Sequence, residues 1–190
     1  MRFKVGCRLD YDVQEPSVGL FNLRVAKTPQ QTVLDERLAI EPDGPLESHE
    51  LADSGNRLDR VAMAPGHVTL TYDATVELKV LRLDPETIDE IAVAALPFET
   101  LTFLNPSRYC PSDRLANYAI RLFGDAQRGH LRVTDICNWV HEHVDYVRGS
   151  SDAFTSALDT LVDRQGVCRD FAHLGISFCR ALGIPARFAS

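Results

Sequence analysis

The sequence predicts an α+β protein, with a β-rich, antiparallel sandwich-like part at residues 1–84 and a mostly helical part at residues 85–190. Three observations predict it. Phe3, Val5, Cys7, Leu9, Tyr11 and Val13 alternate strictly, as in a half-buried strand. Val68, Leu70, Tyr72, Ala74, Val76, Leu78 and Val80 repeat that pattern over a longer run. Beyond Asp84 and Pro85 the apolar residues fall at helical spacing instead.

Taken in order, Arg2 to Val13 is the first strand, and Leu20 to Val25 and Thr32 to Ile40 are the next two. In Thr32 to Ile40 the alternation slips, because Val33 falls in phase with Asp35. Turns are expected at Glu41–Gly44 (EPDG), at residues 53–56 (DSGN) and at Ala64–Gly66. Strands at Arg57 to Ala64 and His67 to Leu83 flank the last of these. The boundary between the two parts is expected within Leu81 to Ile91.

In the second part, Phe98 to Leu104 is a short helical segment, followed by a loop at Asn105 to Cys110. Pro111 and Ser112 open a helix carrying Leu115, Ala119 and Leu122, closed near Gly124. Val133, Ile136, Val140, Val144 and Val147 share one face of the next helix, with His130 in the loop before it. Ser156 and Asp159 have capping-box spacing for a short helix reaching Val162. The last helix runs from Cys168 to Leu182 with a stripe of Phe171, Leu174, Phe178 and Leu182. Gly183 stands at its C-cap, Pro185 prevents continuation, and Ala186 to Ser190 reads as the start of a strand.

The net charge of −7 argues against binding to nucleic acid or to an anionic membrane surface. No apolar run reaches bilayer-spanning length, and the N-terminus lacks the apolar stretch of a secretion signal, so a cytoplasmic protein is expected. The cysteines, Cys7, Cys110, Cys137, Cys168 and Cys179, are odd in number and widely spaced, with no CxxC pair. Reduced thiols are expected, and neither a metal nor a cofactor.

Cys168 is the candidate catalytic residue. It follows Gly166 and Val167, with Gly166 read as permitting a sharp turn into the helix. It begins that helix, where unpaired N–H groups and the positive dipole end favour a thiolate. The same N–H groups suit the oxyanion formed when a thiolate attacks a carbonyl. Against this stands the ordinary role of a free cysteine as a small buried residue.

The segment Arg164 to Phe188, RQGVCRDFAHLGISFCRALGIPARF, resembles the nucleophile region of the transglutaminase-like superfamily. Gly166, Cys168, Asp170 and the run Leu182 to Arg187 carry the resemblance. The linker LNPSRYCPSD and the N-terminal strands are similar to the bacterial peptidase and amidase branch. The resemblance implies a partial papain-like core, with Cys168 as the nucleophile of a Cys–His–Asp triad acting on protein or peptide amides. It also implies that the His and Asp lie downstream of Arg187, so this chain reads as an inactive fragment ending after the nucleophile helix. The competing reading is a non-catalytic interaction scaffold with a degenerate core.

Other histidines offer no base. His173 lies five positions after Cys168, roughly 140° around the helix. His141 and His143, two apart, share no face and read as solvated; His49 and His67 sit near turns. Asp170 reads as a helix N-terminal charge, Cys179 as core, and Trp139 and Tyr146 as core or cleft-wall aromatics. A core missing its sheet is expected to leave an apolar face open, covered by a second copy in a homo-oligomer.

Overall fold

The computed structural model describes residues 1–52 and 54–189, which divide into two units, Met1–Arg82 and Leu83–Ser190. The first holds β1 (Arg2–Val13), β2 (Ser17–Phe21), β3 (Gln31–Glu41), β4 (Leu46–Glu50), β5 (Arg57–Met63) and β6 (Gly66–Leu78). They form two antiparallel sheets of three strands, ordered β1-β6-β3 and β2-β5-β4.

The alternation in β6 places Val68, Leu70, Tyr72, Ala74 and Val76 inside. Val68 and Leu70 meet Val61 of β5 and Ile40 of β3, so one core joins both sheets. Each such side chain contributes about 1.5–3 kcal/mol by leaving water. A buried ionic link also spans the sheets. Arg57 of β5 bonds Glu36 of β3 at 2.5 and 2.7 Å and the Val25 carbonyl, while Tyr72 donates to Glu36 at 3.0 Å.

The slipped alternation of the third strand has a structural cause. The pairing of β3 with β6 shifts register between Val33 and Asp35, leaving Leu34 out and exposed, as in a β-bulge. Three strand expectations change. The second strand lies at Ser17–Phe21 rather than Leu20 to Val25, and β6 stops at Leu78 rather than Leu83. Strand β4, LESHE, was not anticipated; it lies fully exposed and shows no apolar alternation. Asp53, in the turn expected at 53–56, lies outside the described residues.

The second unit holds α1 (Ser112–Phe123), α2 (His130–His143), β7 (Asp145–Tyr146), α3 (Ala157–Asp163), β8 (Gln165–Gly166) and α4 (Cys168–Ala181). Phe98–Leu104 is a 3-10 helix. Leu174 and Phe178 of α4 are fully buried among Leu115, Ala119, Phe123, Ile136, Val140, Val144 and Ala157. On α1 the core residue is Phe123 rather than Leu122, which is exposed. α2 begins at His130, whose N–H donates to Ile88, and ends before Val144. Val144 is still buried, whereas Val147 is exposed beyond β7. Gly183 closes α4 with φ +80°, as its C-cap position required. Residues 186–189 form no ladder, although Ala186 N–H donates to Phe103; Ser190 lies outside the described residues.

Candidate active site

Cys168 is the first residue of α4, after an extended N-cap residue, Val167. The approach is held from both sides. β8 pairs in parallel with β7, through Asp145 N–H to the Arg164 carbonyl at 2.8 Å and Val147 N–H to the Gly166 carbonyl at 3.0 Å. α3 precedes it, and its start is capped as the Ser156/Asp159 spacing predicts, with Ser156 N–H and Oγ both donating to Asp159 at 2.8 and 2.6 Å.

Gly166 serves differently from the expected sharp turn. It is extended, in β8, and is not among the positive-φ glycines. Its hydrogen faces the Asp170 side chain so closely that a Cβ would lie 2.8 Å from the Asp170 Cβ and 3.4 Å from Thr160 Cγ2. Close approach, rather than backbone freedom, demands glycine there.

That approach seats the Asp170 carboxylate against the helix start. Asp170 is completely buried, and its Oδ2 accepts the Val167 N–H at 2.8 Å. Val167 has no side-chain acceptor to return, so only this arm of a capping box exists. Oδ1 accepts Arg169 Nε at 3.2 Å. Burial opposes ionisation of Asp170, but the nearby Ser151 hydroxyl, the Val167 N–H and the adjacent Arg169 outweigh it and hold its pKa below the usual carboxylate range. Arg169 also donates to Ser151 Oγ and to the Asp152 carbonyl, at 3.2 and 2.8 Å, tying the 151–152 loop to the helix start. Asp152 orders its own loop by accepting Phe154 N–H and Thr155 N–H at 2.7 and 3.1 Å. Nothing in the sequence spacing marked Ser151 or Arg169, because their contact is made across the fold.

The result is an exposed thiol on a rigid mount. Cys168 is exposed, whereas Cys110 and Cys179 are buried, and its Sγ makes no hydrogen bond among the described residues. The amides of Cys168 and Arg169 donate to no acceptor among the described residues, whereas those of Asp170 and Phe171 turn back to the Val167 carbonyl. Two donors at the helix start therefore have no acceptor among the described residues, and free amides at a helix start suit a developing oxyanion.

The histidines are placed otherwise. His173 is buried, its ring stacked on Tyr109 at 5.3 Å and 7° and tilted against Phe188 at 5.8 Å. Its Nδ1 has no partner among the described residues, and desolvation lowers its pKa despite the opposing pull of Asp170. It sits in a wall of aromatics that disfavours its charged form. Tyr109 is fixed in turn by donating to the Ala153 carbonyl at 2.8 Å. His141 and His143 are exposed, and His143 stacks on Trp139 at 4.3 Å with Nδ1 2.8 Å from the Trp139 carbonyl. Tyr146 is exposed and tilts against Phe171. Cys179 is core, its pKa pushed up to about 12 by burial and by nearby Cys137. Among the described residues, no group of three or more His, Cys, Asp or Glu is arranged to hold a metal ion.

Beside α4 lies an apolar hollow of about 390 Å³ that reaches the core residues Val140 and Cys179. Cys137 and His141 of α2, Phe171, Gly175 and Ile176 of α4, and Phe188 of the C-terminal segment line it. No helix among the described residues is long and apolar enough to cross a membrane.

Comparison with known proteins finds similarity along the whole chain. Residues 116–190 match the family described as the transglutaminase-like superfamily, and residues 1–99 match the bacterial transglutaminase N-terminal domain. An uncharacterized protein of Mycobacterium leprae is 25% identical over 197 residues, covering 100% of this chain and 70% of the relative. One from Mycobacterium tuberculosis is 26% identical over 205 residues, covering 100% of this chain and 65% of the relative. A crystal structure of a proposed cysteine protease from Cytophaga hutchinsonii superposes with a TM-score of 0.92 at 36% identity, covering 97% of this chain and 65% of that one.

Proposed function

The chain belongs to the transglutaminase-like superfamily, and from that premise we propose that Cys168 is the nucleophile of a thiol enzyme acting on amide bonds of proteins or peptides. The observation that carries the reading is the exposed thiol at the start of α4, where two amide N–H groups have no acceptor among the described residues. In the proposed reaction the Cys168 sulfur attacks the amide carbonyl carbon and forms a C–S bond. The C–N bond breaks, and the amine leaves with a proton. Water or a second amine then attacks the thioester carbonyl, releasing the acyl group and restoring the thiol. Peptidase, amidase and acyl transferase are the outcomes of that one sequence.

The base of the triad is the missing part. No histidine among the described residues bonds the Cys168 sulfur, and His173 is committed to its stack with Tyr109. Since the chain spans 65–70% of the length of the relatives it matches, the proposal assigns the His and Asp to the region after Arg187, and assigns little or no turnover to these residues alone. A reducing, cytoplasmic setting suits five unpaired cysteines and belongs to the same proposal.

Labelling by iodoacetamide at neutral pH, mapped by mass spectrometry on the folded chain, tests the nucleophile. Cys137 is also exposed and serves as the control for access alone. Cys168 is expected to label faster than Cys137, and far faster than Cys7, Cys110 and Cys179. Equal or slower labelling of Cys168 leaves an accessible but unactivated thiol, and the scaffold reading then stands in its place.

A further inference from the structure

We propose that the free edge of β1 pairs antiparallel with β1 of a second copy of this chain, in the register centred on Cys7. Both sheets of the first unit have open edges, but they differ in kind. β2 and β4 are five residues long, and β3 is broken by the bulge at Leu34. β1 runs twelve residues with unbroken register against β6, contains no proline and is exposed along most of its length. Long, regular, open edges are the ones that recruit another strand.

The backbone bonds left over on β1 can be assigned. Met1 and Leu78 exchange both of their backbone bonds, at 2.8 and 2.7 Å. By the alternation of an antiparallel ladder, the odd residues of β1 bond β6. Arg2, Lys4, Gly6, Arg8, Asp10 and Asp12 therefore point their N–H and carbonyl groups at the open edge. These same even residues share the outward face of the sheet, and their charges are sorted along the strand. The cations, Arg2, Lys4 and Arg8, come first, and the anions, Asp10 and Asp12, come last.

A strand sorted in this way is complementary to its own reverse. With the dyad at Cys7, Arg2 faces Asp12 of the partner subunit, Lys4 faces Asp10 of the partner subunit, and Arg8 faces the glycine Gly6 of the partner subunit. On the other face Phe3 and Val5, both more than 40% exposed, meet Tyr11 of the partner subunit and Leu9 of the partner subunit. No like charges meet. Moving the dyad to Gly6 sets Lys4 against Arg8, and moving it to Arg8 sets Arg8 against itself, so the neighbouring in-phase registers each carry repulsion. The central Cys7 pair is then a non-hydrogen-bonded one, with Cα atoms about 4.5 Å apart. Arg2 and Asp12 already reach Glu77 and His67 on β6, at 3.7 and 3.0 Å, while Lys4 has no ion-pair partner among the described residues.

Sedimentation equilibrium on the chain, with charge-swapped variants, tests the assignment. The unaltered chain is expected to dimerise. Arg2→Asp and Asp12→Arg each create two like-charge pairs per dimer, weakening Kd by about ten-fold or more. The Arg2→Asp/Asp12→Arg double variant restores the pairing and returns Kd to within about two-fold of the original. Lys4→Pro removes an N–H that points away from β6, so it is expected to leave the chain folded, by circular dichroism, and monomeric. A chain that stays monomeric at millimolar concentration overturns the proposal. So does a dimer indifferent to both single reversals and to Lys4→Pro, since it must use another surface.

Discussion

Replacing Asp170 with alanine tests how the nucleophile is mounted, and the structure sets the size of the effect. Asp170 is wholly buried, and its carboxylate accepts two bonds, from Val167 N–H at 2.8 Å and Arg169 Nε at 3.2 Å. The first is buried and charge-assisted, and its loss costs about 1.5–3 kcal/mol. The second counts for less. Arg169 is 40% exposed, so water replaces most of the lost partner, and the pair adds under about 1 kcal/mol. Asp170→Ala is therefore expected to destabilise the second unit by about 2–4 kcal/mol.

Trp139 is the sole tryptophan, and it packs edge-on against Phe178 of α4 at 5.5 Å. Its fluorescence during urea unfolding reports this unit by itself. The effect also has a pH signature. The folded pKa of Asp170 is lowered, so its contribution is present above the unfolded value of about 3.9. It is lost as pH falls through the folded value. Unaltered chain and Asp170→Asn should thus differ most near neutrality and converge in acid. A loss below about 1 kcal/mol for Asp170→Ala, or a gap to Asp170→Asn that grows toward low pH, refutes the reasoning.

Gly166→Ala drives a methyl to 2.8 Å from the Asp170 Cβ, so it should cost about 1–3 kcal/mol in the same urea assay. Because it acts by displacing Asp170, combining it with Asp170→Ala should cost less than the sum of the two; strict additivity contradicts that coupling. Cys179, with its pKa near 12 from burial, should react with iodoacetamide at pH 8 only in step with global unfolding, and faster reaction means the α2–α4 packing opens locally.

Much of the fold was legible because burial on one face imposes a period. β1 ran as far as its alternation, and α4 began at Cys168 and closed just before the positive-φ Gly183. β4 was invisible because it lies fully exposed and carries no such period. The helix through Val144 and Val147 was read too long for a related reason. Val144 keeps the helical phase of the core although the chain has already left α2, and periodicity alone does not show where backbone bonding ends.

By itself, the sequence determined which cysteine begins a helix, since that follows from local propensity, capping and a contiguous motif. It also determined the sorted charges of β1, which are a matter of order along the chain. Only the tertiary structure decided why residue 166 is glycine, how Arg169 ties the 151–152 loop to the Cys168 turn, and that His173 is spent on a stack with Tyr109. The last two join residues far apart in the chain, and the first turns on a packing distance that no local pattern encodes.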